Sequence, residues 1–407
     1  MDNFLSFPSD KPQDSDQSRS NLNSDSSSNS SLASQSSLPS VPSLTSSLDL
    51  PTAGAAAHHR CLATLKGHSS YIFSLVLAGK HLYSGGSDGE IRVWDRNPCS
   101  YTPSHNHTIS DGAKSAVKSI FVLSDKLYTA HQDHKIRVWK INDSGEKYKM
   151  ITVLPTISDQ FMRLFSGKNY VKVRRHKTST WVHHVDAVSS LALTKDGSFL
   201  YSVSWDRTLK VWRTSDFKCL ESVQNAHDDA INAVVLSNDS FLYTGSADRR
   251  IKVWKKKDGE KKQSLVSTLE KHKSAVNALA LSSDGSVLYS GACDRSIIVW
   301  EKGGGGGAHM TVAGALRGHT KAILCLAVVS DLLCSGSADR TVRVWRRGSG
   351  NSYSCLAVLE GHRHPVKCLA AAFDSNYGRS NGDSGKSCLV YSGSLDFEIK
   401  VWRISVL

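Results

Sequence analysis

Short runs in which apolar and polar residues alternate recur along most of this chain. One example is Val-Arg-Val-Trp at residues 342–345, which follows Ser-Gly-Ser-Ala-Asp at residues 335–339. Alternation with a period of two predicts a β-strand whose successive side chains lie on opposite faces of a sheet. The Asp and the polar residues after it predict a turn into the next strand. The pattern therefore indicates an all-β protein made of many short strands.

These runs belong to a repeat in which an Asp precedes a Trp by six residues. The repeat occurs seven times, with the pairs Asp88/Trp94, Asp133/Trp139, Asp206/Trp212, Asp248/Trp254, Asp294/Trp300, Asp339/Trp345 and Asp396/Trp402. Most successive Trp residues are 42 to 46 positions apart, and two longer intervals of 73 and 57 positions contain insertions. A repeat of about 40 to 45 residues with this ending is typical of a blade in a β-propeller.

Two further positions of the repeat have a fixed residue type. A Ser or Thr lies four residues before every Asp, at Ser84, Thr129, Ser202, Thr244, Ser290, Ser335 and Ser392. A His lies upstream in six repeats, at His68, His184, His227, His272, His319 and His362, whereas the second repeat has Ala113 at this position. Together these offsets resemble the WD40 family over nearly all residues from about 58 onwards.

The resemblance implies that the His, the hydroxyl, the Asp and the Trp of each blade form a hydrogen-bonded chain. A buried carboxylate without partners is costly, so we expect the His and the turn amides to satisfy it. Ser, His and Asp also form catalytic triads, but their recurrence in six repeats favours a structural network. We therefore expect no enzymatic activity, and we expect the second blade, with Ala113, to be held less firmly.

The sequence divides into a Ser-rich tail at residues 1–57 and a propeller at residues 58–407. Residues 59–66 resemble a fourth strand without a blade, and pairing them with residues 401–407 gives seven four-stranded blades in one closed ring. The tail is too poor in apolar residues to form a core, so we expect it to be disordered. A second interpretation is control by phosphorylation, because residues 38–44, Leu-Pro-Ser-Val-Pro-Ser-Leu, mix hydroxyls with apolar side chains.

The nine Cys residues include no Cys-x-x-Cys pair, and their odd number argues against a disulfide framework. Those in apolar strand contexts are interpreted as small core residues, namely Cys219, Cys325, Cys334 and Cys368. The sequence has no apolar run of membrane-spanning length and no secretory signal. We therefore expect a cytoplasmic location, a nuclear location or both.

Neither a metal nor a cofactor is predicted. The His-containing segments at residues 131–134 and 183–184 could suggest metal ligands, but Asp133 and His184 already belong to blade networks, which favours a structural interpretation. Five Gly residues at 303–307 are followed by Ala-His-Met and not by the Lys and Ser or Thr of a phosphate loop. This glycine run is interpreted as a link between strands.

The formal net charge is +13, and the tail contains six Asp against Lys11 and Arg19, so the propeller has about +17. Such a charge makes nucleic acid, acidic proteins and anionic membranes possible partners. We place the basic residues of the third strands on the outward face, namely Arg92, Lys210, Lys252, Arg343 and Lys400. The Lys-rich segment at residues 255–262 contains no aromatic residue on which bases can stack, which makes nucleic acid the weaker hypothesis.

The WD40 resemblance implies that partners bind the face formed by the loops around the blade His and Asp residues. The candidate partner-binding residues at these positions are Tyr71, Phe73, Lys118, Trp205, Asn232, Asn277, Lys367 and Leu395. An aromatic and aliphatic patch with Lys at its rim is typical of an interaction hot spot. Trp205 is the strongest candidate because its equivalents in other repeats are small. Ring closure should place Leu395 beside Tyr71 and Phe73; alternatively, Phe73 and Leu395 fill the central channel or pack between blades.

Two insertions interrupt the repeat. In the first, between residues 140 and 183, residues 170–174 predict a strand. A short helix is predicted between Pro155 and Lys168, where it would pack Phe161, Leu164 and Phe165 onto the propeller. The second insertion, residues 374–386, is rich in Gly, Ser and Asn and is predicted to be a mobile loop.

Blade-specific segments make the resemblance narrower. Residues 169–177, 186–189, 200–206 and 389–396 resemble plant WD40 proteins called JINGUBANG-like. This resemblance implies a non-enzymatic protein–protein interaction scaffold, a plant signalling or transcription-linked regulator with transcriptional regulators among its partners. One alternative is a substrate receptor of a cullin ubiquitin ligase, although Trp-Asp-Arg-Asn at residues 94–97 misses the Trp-Asp-x-Arg spacing of that class. The other alternative is an RNA- or phosphoinositide-binding propeller.

Overall fold

A computed structural model describes most of the propeller and a small part of the tail. The described residues are 41–45, 58–96, 107–110, 112–142, 147–164, 170–174, 177–256, 262–303, 309–348, 352–374 and 386–406. The rest of the predicted tail, residues 375–385 of the predicted mobile loop at 374–386, and most of the glycine run lie outside this set. Residues 40–407 form one compact unit.

The architecture is a propeller of seven four-stranded antiparallel sheets, as predicted. Blade 1 consists of β2 (Ile72–Ala78), β3 (His81–Gly86), β4 (Ile91–Asp95) and β5 (His107–Ile109). Blade 2 consists of β6 (Val117–Leu123), β7 (Lys126–His131), β8 (Ile136–Ile141) and β9 (Tyr148–Leu154). Blade 3 consists of β12 (Val188–Leu193), β13 (Phe199–Ser204), β14 (Leu209–Arg213) and β15 (Cys219–Val223). Blades 4 and 5 consist of β16 (Ile231–Leu236), β17 (Leu242–Ser246), β18 (Arg250–Lys256) and β19 (Gln263–Glu270); and β20 (Val276–Leu281), β21 (Val287–Ala292), β22 (Ile297–Lys302) and β23 (Met310–Leu316). Blades 6 and 7 consist of β24 (Ile323–Val329), β25 (Leu332–Ser337), β26 (Val342–Arg347) and β27 (Tyr353–Leu359); and β28 (Val366–Phe373), β29 (Lys386–Ser394), β30 (Ile399–Val406) and β1 (His58–Leu65).

The first strand of each blade lies innermost, and these seven strands neighbour one another in a closed circle that includes contact between β28 and β2. The ring is closed by β1, which pairs antiparallel with β30 from His58 opposite Ser405 to Leu65 opposite Ile399. Gly393 allows blade 7 to approach blade 1, because a Cβ atom there would lie only 2.9 Å from Ile72 Cγ2. The predicted closure by an N-terminal strand is confirmed.

The hydrophobic core lies between the blades as well as within them. One cluster joins Leu65 and Val401 of blade 7 to Ile72, Leu82 and Trp94 of blade 1. The four Cys residues predicted to be core residues are buried, and each is a free thiol. Because neighbouring blades share apolar surface, a defect in one blade also weakens its neighbours.

The basic residues of the third strands do not lie on the outward face, so that prediction is wrong. Lys210 is fully buried, and its ammonium donates to the Trp181 carbonyl at 2.5 Å and to Ser222 Oγ at 2.6 Å. Lys252 donates in the same way to the Ala226 carbonyl at 2.7 Å. The long apolar stems of these side chains fill space between blades while their charged ends reach backbone oxygens.

The first insertion contains α1 (Ile157–Leu164) and a hairpin of β10 (Tyr170–Arg174) and β11 (Lys177–Thr180), which confirms the predicted helix and strand. Thr156 Oγ1 caps the helix by accepting the Asp159 amide at 3.1 Å. The buried carboxylate of Asp159 accepts the amide of Cys219 at the start of β15, at 2.9 Å. Phe161 is 58% exposed, and the side chains of Leu164 and Phe165, which were predicted to pack with it, lie outside the described residues. Asp159 attaches the helix to blade 3, because its carboxylate accepts this strand amide.

Candidate functional site

Five blades contain the complete hydrogen-bonded chain from Asp to Trp. The His Nδ1 atoms lie 2.8 to 3.2 Å from Asp Oδ2 in the pairs His184/Asp206, His227/Asp248, His272/Asp294, His319/Asp339 and His362/Asp396. A carboxylate only accepts, so Nδ1 donates to the Asp, and Nε2 lies within hydrogen-bonding distance of the Ser or Thr hydroxyl. The hydroxyl oxygen accepts in turn from the Trp indole, as Ser202 does from Trp212 Nε1 at 2.8 Å.

In the five complete networks the environment of the Asp lowers its pKa and favours the ionised form. Burial pushes the pKa of Asp248 upward, but the hydrogen bond and charge of His227 and two backbone amides outweigh burial and lower the pKa to about 2. At Asp206 the charge of His184 and the hydrogen bonds to the carboxylate likewise outweigh burial, and its pKa lies well below its usual range. Burial lowers the pKa of His184 despite the adjacent Asp206. The network therefore holds an ionised carboxylate in hydrogen-bonding contact with an imidazole.

These networks differ from a catalytic triad because a substrate cannot reach the hydroxyl group. All seven Ser and Thr side chains of the network are fully buried, and the indole N–H bond uses the oxygen that would attack a substrate. A nucleophile must reach a substrate atom. The arrangement therefore holds strands together and does not perform acyl transfer.

The first two blades depart from this pattern. In blade 2, where Ala113 replaces the loop His, His131 on β7 takes its place: Nε2 lies 2.8 Å from Thr129 Oγ1, and Nδ1 donates to the Ser115 carbonyl at 3.1 Å. Asp133 pairs instead with the buried guanidinium of Arg137 at 2.7 Å. The sequence prediction missed this substitution, which restores a network that we expected to lack a member.

In blade 1 the ligand atoms of His68, Asp88 and Glu90 lie within 4.8 Å of one another, which is the spacing of a possible metal site. The guanidinium of Arg92 lies 2.9 Å from Glu90 Oε2, and burial together with the Arg92 charge lowers the pKa of His68 to about 4. A fixed positive charge within the cluster opposes a cation. This arrangement is a variant of the blade network, in which His68 Nε2 lies 2.7 Å from Ser84 Oγ.

The loops that present the network also form one face of the ring, and exposed aromatic residues cluster there. Tyr71 is 41% exposed, and its ring lies 5.5 Å from that of Phe397 and 6.4 Å from that of Phe73. The ammonium of Lys118 lies 4.1 Å from the Phe73 ring and 5.2 Å from the Trp205 ring. Trp205 is 37% exposed. The structure thus brings four predicted residues together, and we call Tyr71, Phe73, Lys118, Trp205 and Phe397 the aromatic–lysine cluster.

Charge within this cluster is not compensated. Burial and the nearby Lys367 lower the pKa of Lys118 to about 8. Within the described part of the chain, neither Lys118 nor Lys367 forms an ion pair. The Lys118 ammonium beside exposed rings, with the charge of Lys367 nearby, favours a partner that supplies carboxylates.

The other predicted residues have mixed placements. The amide nitrogen of Asn232 donates to the Val276 carbonyl at 3.0 Å, and that of Asn277 donates to the Ile323 carbonyl at 2.8 Å. These bonds link neighbouring blades, so the two side chains have a structural use. Leu395 is partly buried, and the residue that contacts Tyr71 is Phe397, two positions later.

The sequence analysis missed a second feature of this face. In every blade the residue after the network Asp has a positive φ, and in four consecutive blades this residue is an exposed Arg with φ of 68 to 74°. We call these residues the arginine arc: Arg207, Arg249, Arg295 and Arg340. No ion pair is formed by these guanidinium groups within the described residues. The signal was present in the sequence as four Asp-Arg pairs at one repeat position.

The comparisons with known proteins agree with this architecture. A family model described as "WD domain, G-beta repeat" matches residues 59–95, 175–213, 217–255, 263–301, 310–346 and 353–403, which together are more than half of the chain. Apart from the second match, which begins within the insertion, each starts in or just before the outer strand of one blade and ends in the third strand of the next. The blade with Ala113 is not matched.

Two kinds of curated relative are similar to parts of the chain. Nuclear distribution protein PAC1 of Arthroderma otae is 27% identical over 182 residues, which are 43% of this chain and 36% of that protein. Striatin-4 is 30% identical in Homo sapiens and 32% in Mus musculus, each over 194 residues that are 42% of this chain and 26% or 25% of the relative. The chain thus spans about a third or less of the length of these relatives.

The described helix is too short to cross a membrane. The propellers of the matched family are in general non-enzymatic scaffolds that bind other proteins. The seven repeats, their shared networks and the family match lead to one conclusion: the chain belongs to the WD40 repeat family.

Proposed function

We propose that this protein is an interaction scaffold that binds an acidic protein segment on the face formed by its His and Asp loops. The observation that supports this most strongly is the aromatic–lysine cluster, in which Lys118 lies against the rings of both Phe73 and Trp205. The cluster combines apolar surface with an uncompensated charge. Such a combination suits a partner that inserts an apolar side chain next to a carboxylate.

Trp205 is the principal anchor in this proposal. Its equivalents in blades 4 and 6 are Ala247 and Ala338, so the turn folds without a large side chain. Exposed Trp and Tyr side chains at the centre of a face are the residues that most often dominate binding energy. Trp205 and Tyr71 therefore supply binding surface that the fold itself does not require.

The arginine arc extends the same face beyond the aromatic–lysine cluster. Its four guanidinium groups occupy equivalent turns in blades 3 to 6, so they follow the rim of the ring. Arg forms bidentate pairs with carboxylates. A segment with an apolar residue at the aromatic–lysine cluster and several acidic residues along the arc matches the whole face.

A protein segment fits this face better than RNA. Nucleotide stacking needs a free aromatic face, and Lys118 occupies one face of both Phe73 and Trp205. The rings of Tyr71 and Phe397 are in contact with each other at an interplanar angle of 48°. The rings of this cluster are therefore paired with Lys118 or with each other and do not form a row of stacking platforms.

We also propose that the partners include transcriptional regulators and that the protein is a plant signalling or transcription-linked regulator located in the cytoplasm, the nucleus or both. Segments that alternate acidic and hydrophobic residues are typical of transcriptional activation regions, and they have the chemistry that this face favours. The JINGUBANG-like segments at residues 169–177, 186–189, 200–206 and 389–396 support the plant assignment by resemblance. A cullin receptor is less favoured, because the Arg96 guanidinium is bonded to the Gly79 carbonyl at 2.9 Å.

The test is affinity purification from native tissue with the wild type and Trp205→Ala, which makes this turn equal to those of blades 4 and 6. We expect specific proteins to be lost from the variant with no change in its melting temperature. Leu265→Ala is the matched control, because Leu265 is 48% exposed but lies on the outer strand β19. If Trp205→Ala retains the wild-type partners, or if RNA is lost instead of protein, the proposal is wrong.

A further inference from the structure

A five-residue part of the predicted tail is docked on the outer rim of the propeller. Leu44 donates its amide to the Ala315 carbonyl at 2.9 Å, and Ala315 donates its amide to the Pro42 carbonyl at 2.9 Å. These two bonds form a short parallel bridge to β23 of blade 5. The Leu44 carbonyl also accepts the amide of Tyr353, the first residue of β27 in blade 6, at 3.4 Å. Residues 41–45 therefore lie in a groove between the outer strands of two blades.

The groove exists because blade 5 has a glycine where other blades have a side chain. Gly314 pairs with Val299, the residue before the blade Trp. The residues at the same register position in blades 2, 3, 4 and 6 are Thr152, Glu221, Ser267 and Ala357. A Cβ atom at position 314 would lie only 2.7 Å from Leu44 Cδ2. A glycine inside a strand often marks a place where another chain approaches closely, and here Leu44 is that chain.

A comparison with blades 3 and 4 shows what the docked segment replaces. There, the carboxylate of Glu221 accepts the amide of Gln263 at 2.9 Å and joins the two outer strands. Gln263 and Tyr353 occupy the same register position in their blades. In blade 5 the position of Glu221 is Gly314, and the Leu44 carbonyl supplies the missing acceptor. The segment thus satisfies a backbone donor that the propeller leaves open at this place.

The contacts define which residues matter for docking. Val41 packs against the core cluster that contains Ala315 and Met310, and Leu44 packs against the cluster that contains Leu316 and Tyr353. The Val41 carbonyl accepts from the Arg317 guanidinium at 2.8 Å. Pro42 and Ser43 are exposed. An extended segment with apolar residues at the first and fourth positions is therefore recognised, and the two positions between them are free to vary.

We propose that this groove is a peptide-binding site for extended Val-x-x-Leu segments and that residues 41–45 are a ligand in cis. Addition of a strand to an exposed sheet edge is a common mode of peptide recognition, with side-chain pockets that give selectivity. A partner segment with the same pattern binds by displacing the tail. This site is separate from the aromatic–lysine cluster and does not depend on it.

The experiment measures binding of a fluorescent peptide of residues 38–48 to the full-length protein by anisotropy. A ligand tethered in cis competes at an effective concentration of about 1 mM, so the wild type should bind the peptide at least about tenfold more weakly than Leu44→Asp. In that variant the charged side chain cannot enter the apolar pocket, and the groove is open. Ser43→Asp is the matched control: it adds the same charge at an exposed neighbouring position and should behave as the wild type.

Gly314→Thr distinguishes an open groove from a filled one. Thr152 occupies the equivalent position in blade 2, so the strand tolerates this side chain. The variant should lose the docked tail, as Leu44→Asp does, but it should not bind the peptide. If Gly314→Thr binds the peptide as tightly as Leu44→Asp, or if Leu44→Asp binds no better than the wild type, the proposal is wrong.

Hydrogen exchange gives an independent readout that needs no added peptide. The Ala315 amide should be protected in the wild type and in Ser43→Asp, and it should exchange faster in Leu44→Asp because its acceptor is lost. Protection that falls on dilution of the protein would mean that the tail of a second copy fills the groove, and it would contradict docking in cis.

Discussion

Replacement of Thr244 by Val tests whether the buried network supports the fold. The hydroxyl of Thr244 accepts from Trp254 Nε1 at 2.9 Å and lies 2.7 Å from His227 Nε2. Valine has nearly the same shape and is equally suited to a strand, so the substitution removes two hydrogen bonds without opening a cavity. A buried polar group without a partner costs about 1–3 kcal/mol. The two orphaned groups therefore predict a loss of roughly 2–6 kcal/mol of unfolding free energy.

The assay is thermal unfolding followed by circular dichroism. An unfolding entropy of about 2 cal/mol/K per residue over the propeller converts this loss into a Tm lower by roughly 3–8 °C. Thr244→Ser is the control, because it keeps the hydroxyl and removes one buried methyl worth about 1 kcal/mol. It should lower the Tm by only about 1–2 °C. Equal losses in the two variants would show that packing, and not the hydrogen bonds, determines the effect.

Three further outcomes are expected. Arg249→Glu/Arg295→Glu should weaken partner binding at least tenfold and flatten its salt dependence, as measured by titration with a captured partner at 50 and 300 mM salt; an unchanged affinity would exclude the arginine arc from the interface. The pKa of His68 falls from 6.5 to about 4 on folding, so between these pH values the unfolded chain binds a proton that the folded chain does not. The free energy of unfolding should therefore decrease by on the order of 3 kcal/mol as the pH falls from about 6.5 to 4. Urea unfolding of the wild type and of His68→Gln should show this part of the pH dependence only in the wild type. Burial raises the pKa of Cys334 to about 12, whereas Cys293 is exposed; a thiol reagent at pH 8 should modify Cys293 in the native protein and Cys334 only after unfolding, and rapid modification of Cys334 would contradict the buried core.

The fold was predictable because its determinants are local and repeated seven times. Each strand, turn and network position follows from a fixed offset to the Asp, and the unpaired segment at residues 59–66 predicts closure of the ring. The sequence did not predict which face of a third strand lies between blades. Lys210 was therefore placed outside although it is fully buried. Alternation separates two faces, but it does not identify the neighbour of each face.

The candidate site was only partly predictable for a similar reason. Tyr71, Phe73, Lys118 and Trp205 follow from repeat offsets, and the structure brings them together. Phe397 and the arginine arc lie at another offset, the residue after the Asp, which the sequence analysis did not consider. Docking of the tail requires that position 314 has no side chain, and Gly314 lies more than 250 positions along the chain from Leu44. Periodicity within one segment cannot reveal such a contact.

The pairing of β1 with β30 sets the order in which the ring can be completed during synthesis. Thr64 and Lys400, which are bonded across this sheet, lie 336 positions apart. At a translation rate of about 5–20 residues per second, β1 leaves the ribosome roughly 17–70 s before its partner exists. Throughout that interval its backbone groups form an open edge on which another nascent chain can add. The first four residues of β1, His-His-Arg-Cys, are exposed even in the closed ring. Their polar and charged side chains therefore protect β1 from pairing with another chain until β30, its partner in the same sheet, has been synthesised.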